Sequence, residues 1–277
     1  MSGFSNSAAI VGIGATEFSK ESGRSELQLS CEATLAALAD AGLTPKDVDG
    51  LVTFKMDNSS EIALARELGM GDLRFFSRVD YGGGAACGTV QQAAMAVATG
   101  VADVVVCYRG FNERSGQRYG QVQSWAATQV NSNGLDNAWS YPYGLSTPAA
   151  TVAMQARRYM HEYGATSRDF GVVAVADRKH AATNPNAFFY GKPITIEDHQ
   201  SSRLIADPLR LLDCCQESDG AVALVVVSAE RAKDLPQTPA YIAAAAQGSA
   251  ADQFVMTSYY RDDIGVPEMG VVGRELW

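Results

Sequence analysis

The chain has 277 residues, 47% of them hydrophobic, and 31 acidic against 22 basic side chains give a formal net charge of −9. That length suits one large domain or two smaller ones, and the apolar content supplies a sizeable core and excludes wholesale disorder. The acidic balance argues against a nucleic-acid or anionic-membrane surface, which needs a basic field, although a local Arg/Lys cluster can still hold an anionic small ligand.

The opening MSGFSNSAAIVGIG lacks a basic stretch followed by a long apolar run, so no secretory signal is expected, and no apolar run reaches membrane-spanning length. Residues 8–13 predict a short buried strand. Within GIGATE, Gly12 and Gly14 follow that strand, but Glu17 stands where a dinucleotide fingerprint has its third glycine, so the pair reads as turn residues. Ser25 with Gln28 makes a capping-box start, and Leu27, Cys31, Leu35 and Leu38 follow at helical spacing as far as Gly42. Residues 50–54 predict a strand, 60–68 a helix, 73–79 a strand, 85–99 a helix and 103–108 a valine-rich strand. This alternation predicts an α/β fold with a largely parallel sheet.

The helix at 85–99 carries no charge between Asp80 and Asp103, and Ala, Gly, Val and Met occupy every face, with Gln91 and Gln92 as its polar residues. A helix apolar all round is buried all round, so a central layer between two sheets is expected. An ordinary surface helix would need a polar face. Cys87 falls about one turn into this helix, after Gly82 to Gly84, and reads as a packed structural thiol, with a nucleophile at a helix start as the alternative.

Residues 110–203 break the rhythm and predict a long insertion or lid, with helices at 149–163 and 167–183. Tyr119, Trp139, Tyr141 and Tyr143 lie there near Arg109, Arg114 and Arg118. Such a group suits a ligand with a greasy body and a phosphate-bearing end, or equally a local aromatic core under a solvated loop. His180, at a helix end beside Arg178 and Lys179, reads as a general base or as a surface residue. Asp213, Cys214 and Cys215, then Asp219 and Gly220, read as turn residues before a strand at 221–227. A short helix follows, a new strand begins near 238, and Pro267 with Glu268 opens a helix that runs to Trp277 without a stop signal. Residues 1–237 are therefore expected to form one half, including the insertion at about 110–203, and 238–277 to open a second. Cys31, Cys87, Cys107, Cys214 and Cys215 are an odd set in a long chain, which fits reduced thiols in the cytoplasm. His161, His180 and His199 are scattered, so no metal site is expected.

The order of these elements, the glycine turn VDYGGGAACG feeding a buried helix, GVADVVV, HAATNPNA and DCCQESDGAVALVV together resemble the thiolase superfamily, in particular its sterol-carrier and lipid-transfer-protein branch, over nearly the whole chain. The resemblance implies an α/β, thiolase-like layered αβαβα fold, with the N-terminal half complete and the C-terminal half only begun. In acyl-transferring members a cysteine sits at the tip of the glycine turn; counting back from GVAD, Gly83 occupies that position. Glycine cannot form an acyl-enzyme. The resemblance therefore narrows to the thiolase-like aldolases of steroid side-chain breakdown, which split a β-hydroxyacyl-CoA into a ketone and a shorter acyl-CoA such as propionyl-CoA.

On that resemblance, the backbone N–H groups of Gly83, Gly84 and Ala85 become oxyanion donors. Arg114 and Arg118 meet the CoA phosphates, and Tyr141, Tyr143 and His180 contact substrate. The family's acid/base tyrosines are expected beyond Trp277. No cofactor is implied apart from the CoA thioester substrate, and any zinc would belong to the partner. The implied partners are a steroid acyl-CoA, a second copy in a homodimer, and a small protein with an OB-fold and zinc ribbon, with no nucleic acid or membrane. Two rivals stay open: a divergent acetyl-CoA acyltransferase using Cys87, and a non-catalytic acyl-CoA or lipid-binding protein.

Overall fold

A computed structural model describes residues 4–54, 59–79, 86–118, 120–121, 138, 140–251, 262, 264 and 267–277. In chain order the elements are β1 (Ala8–Ala15), α1 (Glu26–Ala41), β2 (Gly50–Phe54), α2 (Glu61–Leu68), β3 (Phe75–Val79), α3 (Ala86–Ala98), β4 (Val104–Asn112), α4 (Pro148–Tyr163), α5 (Ser167–Thr183), α6 (Ile196–Ser201), β5 (Leu204–Ala206), β6 (Leu209–Arg210), β7 (Asp219–Ser228), β8 (Ala240–Tyr241) and α7 (Pro267–Leu276). By their internal contacts they fall into two units, one of Met1–Gln117, Ser218–Ala250 and Val266–Trp277, the other of Arg118–Glu217 and Ala251–Gly265.

The first unit is built on a six-stranded sheet of order β3-β2-β4-β7-β1-β8. The helices start and stop where the sequence punctuates them. Ser25 Oγ accepts the Gln28 N–H at 3.1 Å, and Gly42 closes α1 in the left-handed region at φ 69°. Only half of the expected capping box forms, because the Gln28 side chain donates to Glu32 instead. Ser60 and Gly69 bracket α2 in the same way.

The sheet is mixed, which corrects the expectation of a largely parallel one. Strand β2 runs parallel to β3 and β4, but β7 is antiparallel to both β4 and β1, and β8 is antiparallel to β1. The reason is the route of the chain. It leaves the sheet at the carboxyl end of β4 and re-enters at that same end, with Asn112 opposite Asp219, so the returning strand has to run back along β4.

Helix α1 packs on one face, against Val11, Leu51, Val104, Val106, Tyr108, Val225 and Val227. Helix α3 packs on the other, against Val52, Val105, Cys107 and Val226. Burial on both faces explains why β2 and β4 read as continuous apolar runs. Gly12 and Gly14 are strand residues, not a turn. A Cβ on Gly12 would lie 2.3 Å from the Ala37 carbonyl oxygen, and one on Gly14 would lie 2.2 Å from that of Ala33. The two glycines let α1 approach the sheet closely. On α3, Ala93, Ala94, Ala96 and Val97 are buried, but Cys87 and Ala98 are exposed and Met95 is 36% exposed. Among the described residues the six-stranded sheet covers one face of this helix.

In the second unit α4 and α5 occupy the two helices expected there. Thr147 caps α4 ahead of Pro148, and a capping box of Thr166 and Asp169 opens α5. Thr195 and Asp198 do the same for α6, and β5 and β6 form a two-stranded sheet. Among the described residues no helix is long and apolar enough to cross a membrane, and no group of three His, Cys, Asp or Glu side chains could hold a metal.

Candidate functional site at the carboxyl ends of the parallel strands

Phe54 and Val79 end β2 and β3 side by side, and the glycine turn lies between Val79 and the start of α3. Two contacts fix the first turn of α3 at this edge, and a third closes the turn on itself. Cys107 Sγ on β4 lies 3.4 Å from the Thr89 carbonyl oxygen. Gly88 sits so close to its neighbours that a Cβ there would lie 2.7 Å from Gln247 Oε1 and 3.4 Å from Val79. Thr89 Oγ1 donates to the Ala86 carbonyl at 2.6 Å. Burial pushes the Cys107 thiol up to about 12, so it stays protonated and packs. The buried Tyr108 hydroxyl donates to the Ser59 carbonyl at 2.8 Å, tying the chain beyond β2 back to β4.

Arg109 follows on β4. Its Cζ lies over the Phe54 ring, 4.3 Å from the centroid, and 5.1 Å from the centroid of Phe111. Its Nε is buried without a hydrogen-bond partner. Sequence reading placed Arg109 only among the arginines of the insertion. The sharper signal was the charge itself, standing at an inward position of a valine-rich strand.

A carboxylate holds the exit of β4 in place. Asp219, fully buried, accepts backbone N–H groups of Ser22 at 3.0 Å, Arg114 at 2.9 Å and Ser115 at 3.0 Å. Burial alone would raise its pKa, but the hydrogen bonds from Ser115, Ser22 and Arg114 outweigh it and hold the carboxyl below its ordinary value. Asp219 is thus the hub of two loops and the first residue of β7, not the turn residue expected.

The residues expected in the site are distributed as follows. Gly83, Gly84 and Ala85, like Tyr119 and Trp139, lie outside the described residues. Cys87 is exposed in the first turn of α3, where it was expected to pack. Arg114 is exposed after β4 in the first unit, whereas Arg118 belongs to the second. The Arg118 guanidinium pairs with Glu217 at 2.6 Å, and the Gly120 N–H donates to the same carboxylate. Tyr141 and Tyr143 form a single helical turn closed by Gly144, with Tyr143 81% exposed. His180 is exposed in the last turn of α5, and its carbonyl accepts the Thr183 hydroxyl at 3.0 Å.

One buried pair in the second unit had no signature in the sequence. Gln200 Nε2 lies 3.0 Å from His199 Nδ1 and can only donate to it. On the other side of the ring, His199 Nε2 lies 2.7 Å from Asp213 Oδ1. Gly171 makes room for that ring, since a Cβ there would lie 2.8 Å from Nδ1. Asp213, expected to be a turn residue, anchors a fully buried histidine.

The profile described as "Thiolase, N-terminal domain" matches residues 8–230, and the chain belongs to the thiolase family. It is 71% identical over 274 residues to the 17-hydroxy-3-oxo-4-pregnene-20-carboxyl-CoA lyase of Mycobacterium tuberculosis, covering 99% of this chain and 71% of that protein. It is 70% identical over 278 residues to the steroid side-chain-cleaving aldolase of Thermomonospora curvata, covering 100% of this chain and 71% of the relative. The solved structure of an Ltp2-ChsH2(DUF35) aldolase superposes with a TM-score of 0.92 at 69% identity, over 99% of this chain and 69% of that one. Within its family the chain is a carbon–carbon lyase of thiolase-like fold.

Proposed function

We propose that this chain carries the thiolase-like part of a retro-aldolase that cleaves a steroid side-chain β-hydroxyacyl-CoA into a ketone and a shortened acyl-CoA such as propionyl-CoA. The observation that carries the reading is an identity of about 70%, sustained along the whole chain, with two proteins named for that cleavage. Gly83 at the position of an acyl-enzyme cysteine supports it. A base takes the proton of the β-hydroxyl, and its oxygen becomes the ketone. The electrons of the breaking Cα–Cβ bond pass into the thioester as an enolate, and Cα then takes a proton to give the shortened acyl-CoA. No covalent intermediate is needed. The donors assigned to the enolate are the backbone N–H groups of Gly83, Gly84 and Ala85, at the start of a helix whose dipole favours negative charge.

In this reading Arg114, exposed after β4, meets the CoA phosphates, while the charge of Arg118 is already engaged by Glu217. Tyr141, Tyr143 and His180 contact the substrate, and the acid/base tyrosines lie beyond Trp277. The enzyme acts in the cytoplasm without a further cofactor. It works as a homodimer bound to a small OB-fold and zinc-ribbon protein, in which any zinc resides. The DUF35 protein named with the aldolase of similar structure supports such a partner.

The test is a mass-spectrometric product assay on the full-length protein with its partner and a CoA thioester bearing a tertiary β-hydroxyl. A ketone plus shortened acyl-CoA is the expected result; intact substrate under binding conditions would overturn the reading. The exposed Cys87 is what a thiolase rival would use. Cys87→Ala is expected to cleave as the wild type does, whereas loss of turnover together with acyl transfer to free CoA in the wild type would restore that rival.

A further inference from the structure

We infer that Arg109 is the anion-binding side chain of this site and takes a negatively charged oxygen of the acyl-CoA substrate; the inference rests on the acyl-CoA reading above. Three observations lead to it.

The first is its row on the sheet. Side chains alternate along a strand. On β4, Val104, Val106 and Tyr108 pack with the α1 core, and Val105 and Cys107 with the α3 core. Arg109 and Phe111 continue the second row, as Phe54 continues that of Val52 on β2. A leucine would fill this row as its neighbours do; a guanidinium stands there instead.

The second is its electrostatics. Arg24, Arg74, Arg78, Arg118, Arg157 and Arg158 each pair with a carboxylate. Among the described residues Arg109 pairs with none, its Nε is buried without an acceptor, and its neighbours are the two phenylalanine rings. Aromatic faces hold a guanidinium by its flat side. They leave the in-plane N–H fork unused, and that fork matches a two-oxygen anion. A partly buried cation with no counter-ion destabilises the fold unless something offsets it. A ligand oxygen supplies that offset.

The third is place. Cys107, two residues back in the same row, touches the first turn of α3. A strand rises about 3.3 Å per residue, so Arg109 lies one side-chain step further toward the carboxyl edge, where open α/β sheets receive their ligands.

The anionic oxygen has two possible sources, the thioester oxygen that becomes the enolate and a CoA phosphate. Kinetics separate them. The experiment compares wild type, Arg109→Met and Arg109→Lys in the full-length protein with its partner, reading kcat, KM and the Kd of free CoA by titration. Methionine keeps an unbranched side chain between the rings, and lysine keeps the charge without the fork; thermal melting checks that each folds. Loss of one charge-assisted contact predicts a fall of roughly 10- to 100-fold for R109M, with R109K between it and wild type. An enolate contact appears in kcat with the CoA Kd unchanged, and a phosphate contact appears in KM and the CoA Kd with kcat kept. If R109M does not fold, R109K carries the comparison. A wild type that cleaves, beside variants unchanged in all three quantities, overturns the inference and leaves the retro-aldolase reading standing. A wild type that leaves the thioester intact overturns that reading and the enolate contact with it; the phosphate contact is then decided by CoA titration alone, where an unchanged Kd rejects it.

Discussion

Asp219 shows how one side chain secures the surroundings of a site without reaching the chemistry. It accepts three backbone N–H donors from two loops and so ties them together. Asp219→Asn puts an N–H₂ group among donors and is expected to destabilise the fold by about 1–3 kcal/mol, read by urea melting. The sign with pH follows from the lowered native pKa. The contribution of the carboxylate is fully present above its unfolded value, about 4, and is lost as pH falls through the native one. The wild type should therefore lose stability on the acid side more steeply than D219N. The cysteines give a second prediction at this scale. With its thiol pushed up to about 12, native Cys107 should resist iodoacetamide at about pH 8, while exposed Cys87 and Cys215 react, as peptide mass spectrometry would show.

At the level of elements, the packing of α1 against β1 rests on two missing methyl groups. Gly12→Ala would push a Cβ to 2.3 Å from the Ala37 oxygen, a backbone atom that cannot swing away. An overpacking penalty of about 1–3 kcal/mol is expected, seen as a lower Tm. The glycines also show what was and was not legible in the sequence. Local chemistry was: Ser25 and Gly42 bound α1 where expected, α2 falls within the helix expected over 60–68, and residues 50–54 form the expected strand. Distance along the chain was not. That Gly12 faces Ala37, that Asp219 serves Ser22, and that Asp213 meets His199 are facts of pairing, which propensity and periodicity do not contain. The glycine turn and the aldolase chemistry came from family resemblance, whereas the unpaired state of Arg109 needed coordinates.

For the whole molecule the decisive feature is the strand that returns. β7 pairs with β4 over nine positions, from Val104 to Asn112, and with β1 over seven. Until the chain has been synthesised as far as Ser228, β1 and β4 have no common neighbour and the centre of the sheet is open. Closing it joins Asn112 to Asp219, across all the residues between. Such non-local pairing slows folding far more than it weakens the final state, because loop entropy grows only by about 0.6 kcal/mol for each doubling of length. On a ribosome the first four strands therefore emerge with apolar edges unpaired, and the last long strand acts as a keystone. Protection of the nascent chain from aggregation is needed over that interval, and the strand that closes the sheet is made only after residues 118–217, the larger part of the second unit, have been synthesised.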